Sequence, residues 1–134
     1  MSDPRKVLIV DDAALMRLVI RDLVEKSKKY QVVGNCANGQ EALNQLKTAN
    51  PDIILVDIEM PVMDGLTFLR NARLKTRAKI VILSSIAVEG SDKARQARAL
   101  GADAVIQKPS GSVSFDLAEK SGHHILETLQ RLVP

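Results

Sequence analysis

Five short apolar runs punctuate the chain, and a stretch with helical periodicity follows each. "KVLIV" at 6–10 is the first. It leads into residues 13–28, where Met16, Ile20 and Leu23 share one helical face and Arg17, Arg21 and Lys28 another. "YQVVGNCA" at 30–37 reads as the second strand. Asn38, with Glu41 three residues later, forms a capping box opening a helix that reaches about Ala49, where Asn50-Pro51 stops it. "DIILV" at 52–56 is the third strand and runs straight into Asp57. Asp64 suits the N-cap of a helix from Gly65 to about Lys75. "KIVILS" at 79–84 is the fourth strand, and residues 91–100 form an Ala-rich helix with Gly101 at its left-handed C-cap. "DAVIQ" at 103–107 is the fifth strand, 108–114 a loop, and the last helix reaches about Val133.

Strand and helix alternating in this way predict an α/β domain: a doubly wound parallel sheet with helices on both faces. Runs such as "VLIV" and "IILV", apolar without alternation, suit strands covered on both sides. The 134 residues and 14.6 kDa fit a single domain, 1–134, with no linker or repeat. The longest apolar runs are far too short for a membrane span, and "MSDPRK" lacks the apolar stretch of a secretory signal. A cytoplasmic protein that engages no membrane is the expectation.

Net charge is +3 and pI about 9.2, which raises the question of nucleic acid. The basic residues are spread over several helices, as in "KSKK" at 26–29, and aromatics make up only 2%, too few for base stacking. Solvated helix faces account for the charge, and no nucleic-acid partner is expected. Cys36 is the only cysteine, so no internal disulfide forms; it reads as a small buried hydrophobe. His123 and His124 are adjacent, point to different helical faces and read as surface residues.

The chemistry is concentrated at strand ends. In an open α/β sheet, ligands bind beyond the carboxyl ends of the strands, where strand order reverses. The first strand ends in Asp11 and Asp12, the third in Asp57, the fourth in Ser84 and Ser85, the fifth in Lys108 and Pro109. If the first and third strands are neighbours, three carboxylates converge, a costly arrangement without compensation. A divalent cation would relieve it, and hard carboxylate oxygens with positions left for water and phosphate suit magnesium. Lys108 adds a fixed positive charge. Carboxylate, magnesium, ammonium and hydroxyl together make a phosphoryl-transfer site, in which a carboxylate nucleophile gives an acyl phosphate. An aspartate-nucleophile phosphatase is the alternative; it wants a second carboxylate two residues on, where Glu59 sits, but "DIEMPVMDG" does not resemble that family's pattern. A dinucleotide-binding module needs a Gly-rich turn after the first strand, and "VDDAAL" has acids there instead.

"LIVDD", "ILVDIEMPVMDG", "VILSS" and "IQKPSG" resemble the receiver domain of bacterial two-component response regulators, over roughly residues 5–133. "LVDIEMPVMDGLTFL", "LSS…EGSDKA" and "KPSGSVSFDL" are most similar to the receiver half of the chemotaxis methylesterase. The resemblance implies a flavodoxin-like five-stranded sheet of order 2-1-3-4-5 and a switch phosphorylated by a histidine kinase. It implies Asp57 as phosphoacceptor, and magnesium held by Asp11, Asp12, Asp57 and the backbone carbonyl of Glu59. Ser84 and Lys108 would meet the phosphoryl group, and the Lys108–Pro109 bond would be cis. Output would pass through the fourth helix, fifth strand and fifth helix to an effector or to a C-terminal esterase domain. That domain is part of the methylesterase family but does not fit before Pro134, so the chain is expected to be its regulatory domain or a stand-alone receiver, without esterase activity. Two positions depart from the pattern. Val105 stands where many receivers carry an aromatic that swings inward, so signal should travel through the backbone of the Ser84–Gly90 loop, and Ala13 stands where the methylesterases commonly have Ser.

Overall fold

The computed structural model describes residues 3–60, 62–84, 91–108 and 115–134, without the side chains of 115–121. Five strands, β1 (Arg5–Val10), β2 (Tyr30–Cys36), β3 (Ile53–Asp57), β4 (Lys79–Ser84) and β5 (Ala104–Gln107), alternate with five helices. The helices are α1 (Ala14–Lys26), α2 (Gly39–Ala49), α3 (Gly65–Ala72), α4 (Asp92–Ala99) and α5 (Phe115–Leu132). All strand pairs are parallel, in the order β2-β1-β3-β4-β5. The order reverses between β1 and β3, so the ends of these two strands are neighbours, as the acidic residues require.

The apolar runs conceal two interleaved faces, because successive strand side chains point to opposite sides. Leu8, Val10, Ile54, Val56, Ile80 and Ile82 pack with Ala42 and Leu46 of α2, Phe68 and Leu69 of α3, and Ala97 of α4. Val7, Ile9, Ile53, Leu55, Val81 and Leu83 pack on the other side with Ile20 and Val24 of α1 and Ile125 and Leu129 of α5. Every residue of β3 is buried, which makes it the central support of the site at its end.

Several element ends differ from the sequence reading, each for a local reason. β3 includes Asp57, because its ladder with β4 continues through Asp57 opposite Leu83. α1 ends at Lys26: the Lys28 amide turns back to the Glu25 carbonyl at 3.1 Å, and Lys28 takes a positive φ of 63° before β2 begins. α3 ends at Ala72 rather than near Lys75, as Lys75 and Thr76 both donate to the Ala72 carbonyl and the Arg73 guanidinium bonds the carbonyl of Ala78. β5 begins after Asp103, whose amide donates to the Ile80 carbonyl and whose carboxylate accepts from the Ile80 amide. The other signals translate directly. Asn38 accepts from the Glu41 amide at 3.0 Å, although Glu41 reaches back to the amide of Ala37 rather than that of Asn38. Asp64 and Ser91 cap α3 and α4 by accepting from Thr67 and Ala94. α4 closes in a Schellman turn, with Ala102 donating to Ala97, Gly101 to Arg98, and Gly101 at φ 108°.

Candidate functional site at the carboxyl ends of the strands

Asp11 follows β1 directly and is fully buried. Its amide donates to the Cys36 carbonyl at 3.0 Å, extending the ladder between β1 and β2 by one step. Its Oδ1 accepts from the Ala13 amide at 2.9 Å, an Asx turn that redirects the chain into α1. Its carbonyl accepts from Arg17 Nη1 at 2.6 Å. Asp12, next in the chain, is exposed.

Asp57 closes β3 and is 3% exposed. Its Oδ1 accepts from the Glu59 amide at 3.2 Å, and its Oδ2 accepts from Lys108 Nζ at 3.0 Å. The same ammonium lies 3.1 Å from Asp11 Oδ2. Lys108 is delivered by β5, and its amide donates to the Ser84 carbonyl at 3.0 Å, tying the ends of β4 and β5 together. Ser84, 6% exposed, ends β4 one residue beyond the partner of Asp57. One carboxylate oxygen each from Asp11, Asp12 and Asp57 lies within 4.8 Å of the others.

One ammonium therefore serves two buried carboxylates, with a third carboxylate beside them. Burial pushes the Asp57 carboxyl above the ordinary carboxylate range; the Lys108 hydrogen bond and the Glu59 amide pull it back, and the charge of Asp11 pushes it further up. Burial opposes the Lys108 charge, but the hydrogen bond to Asp57 and the fields of Asp11 and Asp57 outweigh it and hold the ammonium above its usual value. Asp11 Oδ2 is close enough to Lys108 for an ion pair but makes no hydrogen bond among the described residues. An under-satisfied buried carboxylate oxygen in a set of three hard oxygen donors fits a magnesium-sized cation.

The sign of the pH dependence follows. Asp57 binds its proton more tightly folded than unfolded, so its ionisation costs stability at neutral pH, and the cost is relieved as pH falls through the raised folded value. Lys108 contributes stability below its unfolded value and loses it only as pH rises through the higher folded value. The stability gap between wild type and Asp57→Asn should close on acidification, as followed by melting temperature against pH without divalent metal.

Asp11, Asp12, Asp57, Ser84 and Lys108 thus sit at four adjacent strand ends. The Glu59 amide bonds Asp57, while its carboxylate pairs with Lys93 of α4 at 3.5 Å. Ser85, the loop to Gly90, Pro109 and hence the Lys108–Pro109 bond lie outside the described residues. Cys36 is buried, and burial pushes its thiol up to about 11. His123 and His124 are exposed. Val105 packs beside the first core and lines a cavity of about 200 Å³ with Ile58, Glu59, Ser84 and the first turn of α4. Sequence reasoning missed Arg17 and Lys93. Arg17 read as a solvated-face cation, and the available signal was its place in the first turns of a helix that starts right after two acids.

The family model of the response regulator receiver domain matches residues 7–120. The chain belongs to this family. Among curated relatives of the receiver domain, it is 46% identical over 112 residues to the protein-glutamate methylesterase/protein-glutamine glutaminase of Halalkalibacterium halodurans, covering 84% of this chain and 32% of that protein. The chain spans about a third of the length of the methylesterases it matches. Among solved structures, the response regulator domain of Thermotoga maritima CheB superposes with a TM-score of 0.88 at 32% identity, covering 96% of both chains. A chain of the complex between the P1 domain of CheA3 and CheY6 from R. sphaeroides superposes with a TM-score of 0.81 at 53% identity, covering 98% of both. The receiver fold is therefore of the CheB and CheY type, and the phosphatase alternative finds no support. Among the described residues no helix is long and apolar enough to cross a membrane.

Proposed function

We propose that this receiver is a phosphorylation-dependent switch of chemotaxis-type signalling, in which Asp57 takes a phosphoryl group from a histidine kinase. The observation that carries the reading is the buried Asp57 carboxylate, fixed between the Glu59 amide and the Lys108 ammonium and facing two further acids. An Asp57 oxygen attacks the phosphorus of a phosphohistidine in line. The P–O bond forms as the P–N bond breaks, and the imidazole nitrogen leaves with the electron pair. Both anchors hold the carboxylate in one orientation before attack, which removes the entropy of aiming it. Lys108 neutralises charge on the transferred oxygens, and the Ser84 hydroxyl hydrogen-bonds the phosphorylated product. Asp11, Asp12, Asp57 and the Glu59 carbonyl would hold magnesium, which when bound supplies Lewis-acid neutralisation of the phosphoryl oxygens.

The kinase is the phosphodonor, and the output surface comprises α4, β5 and α5, directed at an effector or an esterase domain such as the methylesterases carry. We assign no ester hydrolysis to this chain. The work of the domain is cytoplasmic.

Intact mass after incubation with acetyl phosphate tests the reading. One phosphoryl adduct is expected with magnesium and none with a chelator; an adduct that ignores magnesium would count against it. Magnesium should also raise the melting temperature of the unphosphorylated protein, and Asp12→Ala should lose most of that rise. Lys108→Ala should slow uptake, whereas Ser84→Ala should take up the group but give weaker amide shift changes across α4 and β5. Equal loss of uptake in both variants would contradict this division of roles.

A further inference from the structure

α1 opens in an unusual way. Its N-cap is Ala13, which offers no side-chain acceptor, and its first turn holds no acidic residue. Arg17 instead sits at the fourth helical position, where a cation opposes the helix dipole. What it gains there is a short bond: Nη1 donates to the Asp11 carbonyl at 2.6 Å.

That carbonyl belongs to the peptide unit joining Asp11 to Asp12. The unit is planar and ends at Asp12 Cα, so a bond to its oxygen restrains its rotation and with it the point from which the Asp12 side chain starts. Asp11 needs little help, since its amide is held by Cys36 and its Oδ1 by the Ala13 amide. Asp12 does need it. Among the described residues no hydrogen bond or ion pair holds its carboxylate, yet one of its oxygens lies within 4.8 Å of oxygens from Asp11 and Asp57.

We propose that Arg17 is a positioning residue for the acidic cluster, fixing the Asp11–Asp12 peptide so that the exposed Asp12 carboxylate meets the two buried ones. This rests on the reading of the cluster as a magnesium site. Arg17 touches neither cation nor phosphoryl group; it acts through the backbone of the residues that do.

The proposal makes a prediction opposite in sign to simple electrostatics. Removing a positive charge beside a cation site should tighten cation binding by Coulomb's law. Removing a positioning contact should weaken it, and outer-shell contacts of this kind are worth roughly 10–100-fold in metal affinity. The experiment is calorimetric titration of magnesium chloride into the full chain without phosphodonor. Arg17→Ala and Arg17→Met are each expected to bind about tenfold more weakly than wild type. Arg17→Met keeps the aliphatic stem and decides the matter if the alanine variant does not fold. Arg17→Lys, with charge and a donor but a different reach, should recover part of the loss; if neither neutral variant folds, binding weaker than wild type in Arg17→Lys supports the proposal and wild-type affinity overturns it. Neutral variants that bind as tightly as wild type or more tightly overturn it, as does a lowered melting temperature in metal-free protein with unchanged magnesium affinity. No binding by wild type would overturn the magnesium reading itself, a result distinguishable from these.

Discussion

Asp57→Asn is expected to abolish phosphoryl uptake from acetyl phosphate while raising the melting temperature by a few degrees. The loss follows from chemistry: an amide oxygen is a poor nucleophile, and no neighbouring carboxylate is held as Asp57 is, between the Glu59 amide and Lys108. The gain follows from burial. Asp57 is a buried carboxylate whose ionisation the fold resists, and an amide of the same shape carries no charge to desolvate. The single amide oxygen can keep one of the two anchors, the Glu59 amide or Lys108, and Lys108 keeps Asp11 as a partner at 3.1 Å, so the lost bond offsets only part of the gain. Magnesium should narrow the stability gap, because it relieves in the wild type the crowding that the variant lacks. Intact mass and melting curves with and without magnesium check both halves. A full equivalent of adduct in the variant would remove Asp57 from its role.

The second large effect concerns Gly65, the first residue of α3. Its amide donates to the Ile58 carbonyl at 2.9 Å, which holds the start of the helix against the end of β3. A Cβ there would lie 2.6 Å from the Asp57 carbonyl oxygen and 2.6 Å from Ile58 Cα. Both are backbone atoms of the strand end that carries the site, so neither can rotate away. Gly65→Ala is expected to cost about 3 kcal/mol and to slow phosphoryl uptake, since any relief of the clash displaces the Asp57 peptide. Gly122→Ala is the matched control. Its Cβ would meet the flexible end of Leu23 at 2.8 Å, and alanine is the better helix former. Urea denaturation of the two variants should separate them clearly; similar stabilities would mean that the α3 start yields more easily than its contacts imply.

The strands were legible because their burial is nearly complete: "IILV" admits few other readings when all of β3 is inside. The acids and Lys108 were legible because a strand end in a parallel sheet is also a place in space. What stayed hidden depended on side-chain partners that helical periodicity does not specify. The apolar pattern does not say that α3 stops at Ala72; Lys75 and Thr76 turn back to the Ala72 carbonyl, and the Arg73 guanidinium reaches Ala78 just before the next strand. Helical periodicity does not separate Arg17 from Arg21, four residues on; only closeness to the two acids at the helix start does. One bonds the acidic loop, and the other pairs with Glu25 on an exposed helix face. Leu15 and Leu18 are 70% and 54% exposed despite being apolar, because Ile20 and Val24 set which side of α1 turns inward.

The spacing of the central ion pair has a consequence for biosynthesis. Asp57 and Lys108 are 51 residues apart, and Asp11 enters with the first strand. Among the described residues β5, which delivers Lys108, pairs with β4 alone, at the edge of the sheet. A growing polypeptide can therefore expose both aspartates to solvent long before it has the ammonium that pairs with them. Such long-range closure comes late, since loop entropy must be overcome before its contacts form. Under the proposed function, competence to accept a phosphoryl group arrives together with the closing strand.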